Sequence, residues 1–258
     1  MFAGIVIHPY LFAFVFLSFL IICQYEFYKL IEKGGVKPFA KTGIIAGIAV
    51  FLHFFMIANG FIPKKFVVLA LIVPVVLFLV ELFDRKTTGI LQSLVTLGGV
   101  VYISLPFALL NFILIPLMSP DKTFYPWVLA GMIFIIWVFD SMAFVIGSLI
   151  GKHKMFPLLS PAKSWEGFVG GAVFAVIMGI INAVLFQVLT MAEWIALSLI
   201  VVVFAALGDF FESKLKRSVD VKDSGNLLPG HGGMLDRLDS LLFVSPAVFI
   251  WLILLSNI

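Results

Sequence analysis

Repeated runs of about 20 apolar residues are the feature that most constrains this chain. An α-helix rises about 1.5 Å per residue, so such a run crosses the roughly 30 Å hydrocarbon core of a bilayer. Membrane β-barrels are excluded, because their strands are shorter and alternate in polarity. With 62% hydrophobic and 12% charged residues, the 258-residue chain also exceeds the apolar content that a soluble domain can bury. The sequence therefore predicts an all-α, polytopic transmembrane helical bundle.

The apolar runs predict eight full spans joined by polar loops. Residues 1–8 are apolar but too short to cross, so they are interpreted as a frayed start or as part of a ninth helix. The whole chain is predicted to form one integral membrane domain, in which the helices of 1–118 precede the catalytic helices and cytoplasmic loops of 119–258. The predicted spans are 10–30, 42–62, 66–83, 88–118, 125–150, 166–189, 192–213 and 239–257.

The 88–118 run is long for one span and contains Pro106 and Pro116. We use the distribution of basic residues to distinguish one crossing from two. A single, kinked crossing places 14 of the 17 basic residues on one side of the membrane, whereas a hairpin splits them 7 to 10. Because the side richer in Lys and Arg is cytoplasmic in most membrane proteins, the single crossing is favoured. The polar loops 151–165 and 214–238 then lie on the cytoplasmic face.

Charge and cysteine content narrow the class further. The net charge is +3, but the basic residues flank apolar runs, where lipid headgroups are their usual partners, so no nucleic acid is expected. Cys23 is the one cysteine and lies in an apolar run, which leaves no intrachain disulfide. The short chain without targeting extensions is interpreted as a bacterial protein of the cell inner (plasma) membrane, with its active site facing the cytoplasm.

Acidic residues enter two consecutive predicted spans from their cytoplasmic ends. An ionised carboxylate at membrane depth costs at least about 2.5 kcal/mol on insertion scales, so each acid should face a cavity, a cation or a base. Residues at positions i, i+3 and i+4 share one helical face, and two acidic faces that meet are suited to a hard divalent cation. The two sets with this spacing are Asp209, Glu212 and Ser213, and Asp236, Asp239 and Ser240.

Between these acids lie donors suited to phosphate, together with glycines that let backbone amides approach an anion. Acids for a metal and bases for phosphates are the composition of a phosphoryl or nucleotidyl transfer site. The simpler interpretations are that these charges only pair with one another in a solvated loop, and that the 151–165 loop is a basic anchor whose glycines allow close helix packing. The bases and glycines are Lys216, Arg217, Lys222, His231, Arg237, Gly230, Gly232 and Gly233.

At this point the sequence resembles the phosphatidate cytidylyltransferases, or CDP-diacylglycerol synthases. The stretch SKLKRSVDVKDSGNLLPGHGGMLDRLD, 213–239, matches the family signature at each fixed position. The resemblance extends to 208–213, to 160–171 and, more weakly, to Glu26-Phe27-Tyr28. Departures are a shorter N-terminus and Met142, where a small residue is commoner. The matching positions are Ser213, Lys216, Arg217, Lys222, Asp223, His231, Gly232, Gly233, Asp236, Arg237 and Asp239.

The resemblance implies that CTP and phosphatidic acid react to give CDP-diacylglycerol and pyrophosphate, with Mg²⁺ required and with a homodimer expected from family habit. It places one or two cations at Asp209, Asp236 and Asp239, and we expect Asp209 and Asp236 to share one ion. Lys222 and Arg237 complete the catalytic set, and Asp140 has either a metal-supporting or a structural role. The expected substrate-binding residues are Lys163, Glu166, Ser213, Lys216, Arg217, Asp223, His231, Gly232 and Gly233.

Three other functions fit parts of the pattern. A CTP-dependent polyprenol or phytol kinase shares the membrane setting but transfers the γ-phosphate, and the full signature favours cytidylyl transfer. A CDP-alcohol phosphatidyltransferase would need a D-G-x-x-A-R motif, which the sequence lacks. An ion-coupled transporter would show repeat symmetry and acids near mid-membrane, whereas here the acids cluster at one face in the last third of the chain.

Overall fold

The computed structural model describes residues 5–83, 90–115, 125–157, 160–225 and 232–256. Apolar helices dominate these residues, which agrees with the predicted all-α bundle. We number the helices in chain order and give the 3₁₀ and π segments no label. The α-helices are α1 (Pro9–Lys33), α2 (Ala40–Ala58), α3 (Ile72–Phe83), α4 (Leu91–Gly99), α5 (Leu105–Leu114), α6 (Pro126–Ile150), α7 (Trp165–Phe186), α8 (Met191–Arg217) and α9 (Leu235–Ser256).

Seven helical segments among the described residues are long and apolar enough to cross a membrane. They correspond to seven of the eight predicted spans. The remaining predicted span, 66–83, is a 3₁₀ helix (Lys64–Leu71) followed by the 12-residue α3, so no single α-helix of spanning length occurs there. The count of eight full spans is therefore not confirmed. The seven segments are Pro9–Lys33, Ala40–Ala58, Leu91–Leu114, Pro126–Ile150, Trp165–Phe186, Met191–Arg217 and Leu235–Leu255.

The predicted 88–118 span is one continuous helical segment from Leu91 to Leu114. A π turn, Val100–Ser104, joins α4 to α5. Pro106 lies just after this turn, and because proline cannot donate a backbone hydrogen bond, the wider π turn accommodates the change in the helical ladder. The segment is thus one continuous helix long enough for the single crossing that the charge distribution predicts. Pro116 lies outside the described residues.

Large apolar side chains cover the outside of the bundle as well as its core. Phe14, Leu71, Phe144 and Leu149 each expose more than 70% of their surface. Soluble proteins rarely leave contiguous apolar surface of this kind, whereas a lipid-facing surface requires it. The apolar exterior supports an integral membrane protein.

A short two-stranded antiparallel hairpin, β1 (Lys154–Phe156) and β2 (Ser160–Ser164), lies between α6 and α7 of the helical bundle. The side chain of Ser164 caps α7 by accepting from Gly167 N at 3.2 Å. Glu166, in the first turn of α7, accepts from the backbone of Lys152 and His153. These bonds hold the hairpin against the start of α7.

Helices α8 and α9 pack closely and run antiparallel. Gly208 on α8 lies against the backbone of Asp239 and Ser240, where a Cβ would come within 2.6 Å of the Asp239 carbonyl oxygen. Further along α8, Lys216 reaches Asp236, which is nearer the start of α9. The closeness that glycine permits brings the acidic faces of the two helices together.

Candidate active site

The acids of α8 and α9 meet in two groups. Each helix carries acids three residues apart, which is about 4.5 Å along the axis. Because the helices are antiparallel, Asp209 is level with Asp239, and Glu212 is level with Asp236. We name the groups by their lysines. The Lys163 cluster is Asp140, Lys163, Asp209 and Asp239, and the Lys216 cluster is Glu212, Lys216, Ser224 and Asp236.

In the Lys163 cluster, three carboxylates share one lysine. The Nζ of Lys163, from strand β2, contacts Asp209 Oδ2. The carboxylates of Asp140, Asp209 and Asp239 lie close enough for their charges to interact. Asp239 is 8% exposed, and its Oδ1 accepts from the backbone N–H of Ser240 at 2.6 Å. Three carboxyl groups thus lie around one lysine in this cluster.

A cavity of about 490 Å³ opens beside the Lys163 cluster, between α6, α7, α8 and the hairpin. Asp140, Lys154, Lys163 and Asp209 are its charged lining residues, and most of the remaining lining is apolar. The Lys163 ammonium lies 4.5 Å from the centre of the Phe210 ring, which holds the lysine at the cavity wall. The cavity is suited to a ligand that combines phosphate groups with an apolar part.

The Lys216 cluster is more enclosed and more fully paired. Lys216 Nζ lies 2.5 Å from Glu212 Oε2 and 2.7 Å from Asp236 Oδ1. Asp236 Oδ2 also accepts from Ser224 Oγ at 3.0 Å and from Gly233 N at 2.8 Å. Ser224 lies near the middle of the loop between α8 and α9 and Gly233 lies near its end, so Asp236 ties these two parts of the loop together.

The structure places Asp209 and Asp236, the two acids expected to share an ion, beside different lysines. Asp209 contacts Lys163 and accepts from Ser213 Oγ at 3.4 Å, whereas Asp236 is held by Lys216 and the loop backbone. A shared ion is therefore not built into the described arrangement, and it stays a prediction.

The chemistry of the Lys163 cluster fits a divalent cation, because the cluster gathers the oxygens of three carboxyl groups, the ligand type that hard cations prefer. Within the five described stretches of chain, no three His, Cys, Asp or Glu side chains are arranged to enclose a metal ion. The donor atoms are present, but the described arrangement does not close them around an ion.

The other predicted substrate-binding residues divide between the surface and the interior. Arg217, Lys222, Asp223 and Arg237 are exposed at or near the loop between α8 and α9. Glu166 is engaged in the hairpin, where its Oε1 lies 2.6 Å from His153 Nδ1, and it does not line the cavity. Gly232 has φ of 78°, a conformation that favours glycine. His231 and Gly230 lie outside the described residues.

Three residues to which the sequence analysis gave no role also contribute to this region. Ser224 donates to Asp236, Phe210 packs on Lys163, and Glu26 of α1 reaches the start of α9. Glu26 carried a usable signal, since it is an acid inside an apolar span, the same feature that singled out Asp209. No comparable signal marks Ser224 or Phe210, because serine and phenylalanine are common in loops and spans.

Together, these features define a helical integral membrane protein with a charge-lined cavity between its helices. The chain matches the Cytidylyltransferase family over residues 1–255, and it belongs to this family. The family predicted from the sequence is thereby confirmed.

Three relatives named phosphatidate cytidylyltransferase illustrate the similarity. The Bacillus subtilis protein is 47% identical over 123 residues, which cover 47% of this chain and 46% of the relative. The Staphylococcus saprophyticus protein is 46% identical over 121 residues, and the Staphylococcus aureus protein is 48% identical over 122 residues. Each of these two matches covers 46% of both chains. The matched segment thus spans a little under half the length of these relatives.

Proposed function

We propose that this protein transfers the cytidylyl group of CTP to phosphatidic acid, giving CDP-diacylglycerol and pyrophosphate. The observation that carries the proposal is the family match together with relatives named for this activity. The cavity beside the Lys163 cluster supports it, because that cavity combines cationic side chains with apolar walls. Both substrates carry phosphate groups, and one of them is a lipid.

In the proposed reaction, a phosphate oxygen of phosphatidic acid attacks the α-phosphorus of CTP. A new P–O bond forms, the bond between the α-phosphorus and its bridging oxygen to the β-phosphate breaks, and pyrophosphate leaves. The lipid phosphate is already an anion near neutral pH, so no protein nucleophile is required. The barrier lies in bringing anions together, and Lys163 and Lys154 at the cavity supply positive charge for this.

We propose that Asp209 and Asp239 hold Mg²⁺, because with Asp140 they outnumber the lysine beside them. Asp236 remains a predicted ligand, but it would first have to release Lys216. When bound, Mg²⁺ would supply positive charge beside the phosphates during transfer. Lys222 and Arg237, both exposed, are proposed to contact the triphosphate at the mouth of the site.

The proposed orientation places the site on the cytoplasmic face, where CTP is dissolved. It rests on the 14 to 3 split of basic residues. The split requires 66–83 to cross, and a 3₁₀ segment of eight residues followed by α3 would span about 34 Å, enough for one crossing. In a Cys23→Ala background, a cysteine at Ser218 should react with an impermeant maleimide only after the membrane is opened. A cysteine at Lys65 should react in intact cells, and the opposite pattern would reverse the orientation.

A bacterial plasma membrane is the proposed location, since the relatives are bacterial proteins and the described helices are apolar. A homodimer is also proposed. Cross-linking in membranes followed by mass analysis would test it, and a monomer at every cross-linker concentration would exclude it.

Labelled CTP tests the proposed activity directly. With purified protein and phosphatidic acid, label in the α-phosphate should enter lipid, and label in the γ-phosphate should appear in pyrophosphate. Transfer of the γ-label to lipid would instead identify a CTP-dependent lipid kinase. If neither label is transferred to lipid by folded protein, both cytidylyl transfer and lipid kinase activity are excluded.

A further inference from the structure

Glu26 connects the first helix of the bundle to the start of the last one. It lies on α1 and is 5% exposed. Its Oε2 accepts from the backbone N–H of Leu235 at 2.8 Å, across 209 positions of sequence. Leu235 is the first residue of α9, so its amide is one of the donors that a helix leaves without an internal partner. A carboxylate at this position is also favoured by the helix dipole.

The same carboxylate packs against two parts of the loop between α8 and α9, the middle at Gly225 and the end at Gly233. At Gly225, an added Cβ would collide with Glu26 Oε1. At Gly233, an added Cβ would lie 2.7 Å from Glu26 Oε2. Only glycine allows the backbone to approach the carboxylate this closely at these two positions.

Asp236 holds the same two parts of the loop from the other side. It accepts from Ser224, which precedes Gly225, and from the backbone N–H of Gly233. These two parts of the loop are therefore held between two carboxylates, Glu26 of α1 and Asp236 of α9. A shift of either carboxylate would change where α9 begins, and hence where Asp236 and Asp239 point.

Packing alone does not explain a buried acid at position 26. Glu26 Oε1 is buried and has no hydrogen-bond partner among the described residues. Burying a carboxylate with an unfilled acceptor is costly, and an apolar side chain would fill the space at less cost. We therefore explain the carboxylate at this position by the backbone that it orients.

We propose that Glu26 is a positioning residue for the reaction: it fixes the start of α9 and thereby aims Asp236 and Asp239. This inference rests on the proposed cytidylyl transfer for its kinetic consequence, but its structural consequence can be measured without substrates. Glu26 acts through the Leu235 amide and the loop backbone, and not by contact with a substrate.

The test compares Glu26→Ala and Glu26→Gln with Glu32→Ala. Glu32 is on the same helix, but its carboxylate pairs with Lys29 at the exposed surface, so it is a matched control. Hydrogen exchange should accelerate in peptides covering 221–225 and 232–239 in Glu26→Ala, and stay at the wild-type rate in Glu32→Ala. Glu26→Gln keeps an oxygen acceptor for Leu235 N–H and should restore most of the protection.

Measuring kcat per folded protein distinguishes a positioning role of Glu26 from a role in overall stability. In Glu26→Ala, kcat per folded protein should fall roughly 10- to 100-fold, the scale of a small misplacement of reacting groups, while KM for both substrates changes little. Glu26→Gln should recover most of this loss. Unchanged exchange in both loop segments, or full kcat in folded Glu26→Ala, would overturn the proposal. If the wild type lacks the activity, the exchange result still decides whether Glu26 holds the loop.

A second variant keeps the proposal testable if Glu26→Ala does not fold. Gly225→Ala should displace the Glu26 carboxylate and reduce kcat by itself, because the new methyl group collides with Oε1. In the double variant Glu26→Ala/Gly225→Ala, the methyl group has room, so the second substitution should add little to the first. Full kcat in Gly225→Ala would contradict the proposal.

Discussion

The Lys163 and Lys216 clusters are built from the same kinds of residue on the same two helices, yet they differ in exposure and in charge balance. The side chains of Lys163 and Asp209 are 29% and 34% exposed, and they lie at a cavity. The side chains of Lys216 and Glu212 are 14% and 1% exposed, and Asp236 is held by three kinds of donor. The Lys163 cluster is open and has three carboxyl groups for one lysine. The Lys216 cluster is closed and has two carboxyl groups for one lysine, with Glu212 Oε1 buried and without a partner among the described residues.

This difference suggests a different role for each cluster. Carboxylates in excess beside a cavity can still bind a cation and a phosphate-bearing substrate. Carboxylates already bound by a lysine, a hydroxyl and backbone amides are suited to holding a loop in one conformation. We therefore propose that the Lys163 cluster forms the catalytic site, and that the Lys216 cluster holds the neighbouring loop in place.

The largest expected effect is that of Asp209→Asn on turnover. The substitution keeps the shape of the side chain but removes a charge from the open cluster, so kcat should fall by roughly 10²- to 10³-fold. Steady-state assays with labelled CTP measure this. Asp220→Asn is the control. Asp220 is exposed in the loop that follows α8, and its φ of 54° is a conformation that asparagine tolerates. Near-normal turnover in Asp209→Asn would mean that the open cluster does not take part.

The next largest effects are expected for Lys163→Met and Lys216→Met, which should differ in whether stability or turnover is lost. Lys216→Met leaves Glu212 and Asp236 enclosed without their cation, so the free energy of unfolding should fall by roughly 3 kcal/mol. Lys163→Met breaks a partly exposed pair and should cost below about 1 kcal/mol, while it reduces turnover strongly. Unfolding in detergent and turnover are measured on the same preparations. Equal stability losses would show that the two clusters do not differ as described.

The smallest expected effect is that of Lys222→Ala, which lies outside both clusters. Lys222 is exposed, and loss of one charge-assisted contact to the triphosphate should raise KM for CTP roughly tenfold, with kcat and stability little changed. Lys65→Ala, on the side predicted to be external, is the control. If KM for CTP stays at the wild-type value, Lys222 does not contact the nucleotide.

Much of this arrangement could be predicted because it depends on local pattern. Runs of apolar residues predicted seven of the segments that are long enough to cross, and the spacing of Asp209 with Glu212 and of Asp236 with Asp239 predicted two acidic faces. Both inferences use only the helical repeat and the cost of burying charge. The signature motif predicted the family, which the family match confirms.

The parts that could not be predicted depend on contacts between distant segments. Lys163 reaches Asp209 because a hairpin folds back over the start of α7, and no periodicity in 151–165 marks that hairpin. Glu26 reaches Leu235 only once α1 and α9 are packed together. The 66–83 run has the composition of a span, but its first turns are 3₁₀, which composition does not distinguish from α-helix.

The most direct measurement is a comparison of Asp209→Asn, Asp236→Asn and the double variant, with turnover followed across Mg²⁺ concentrations and hydrogen exchange followed without substrate. If the clusters do separate work, Asp209→Asn changes the Mg²⁺ dependence without loosening 221–225 and 232–239. Asp236→Asn then loosens these segments, and the losses of turnover multiply in the double variant. A double variant no worse than either single one, with the same change in Mg²⁺ dependence in both, would contradict this and show that the two aspartates serve one shared ion.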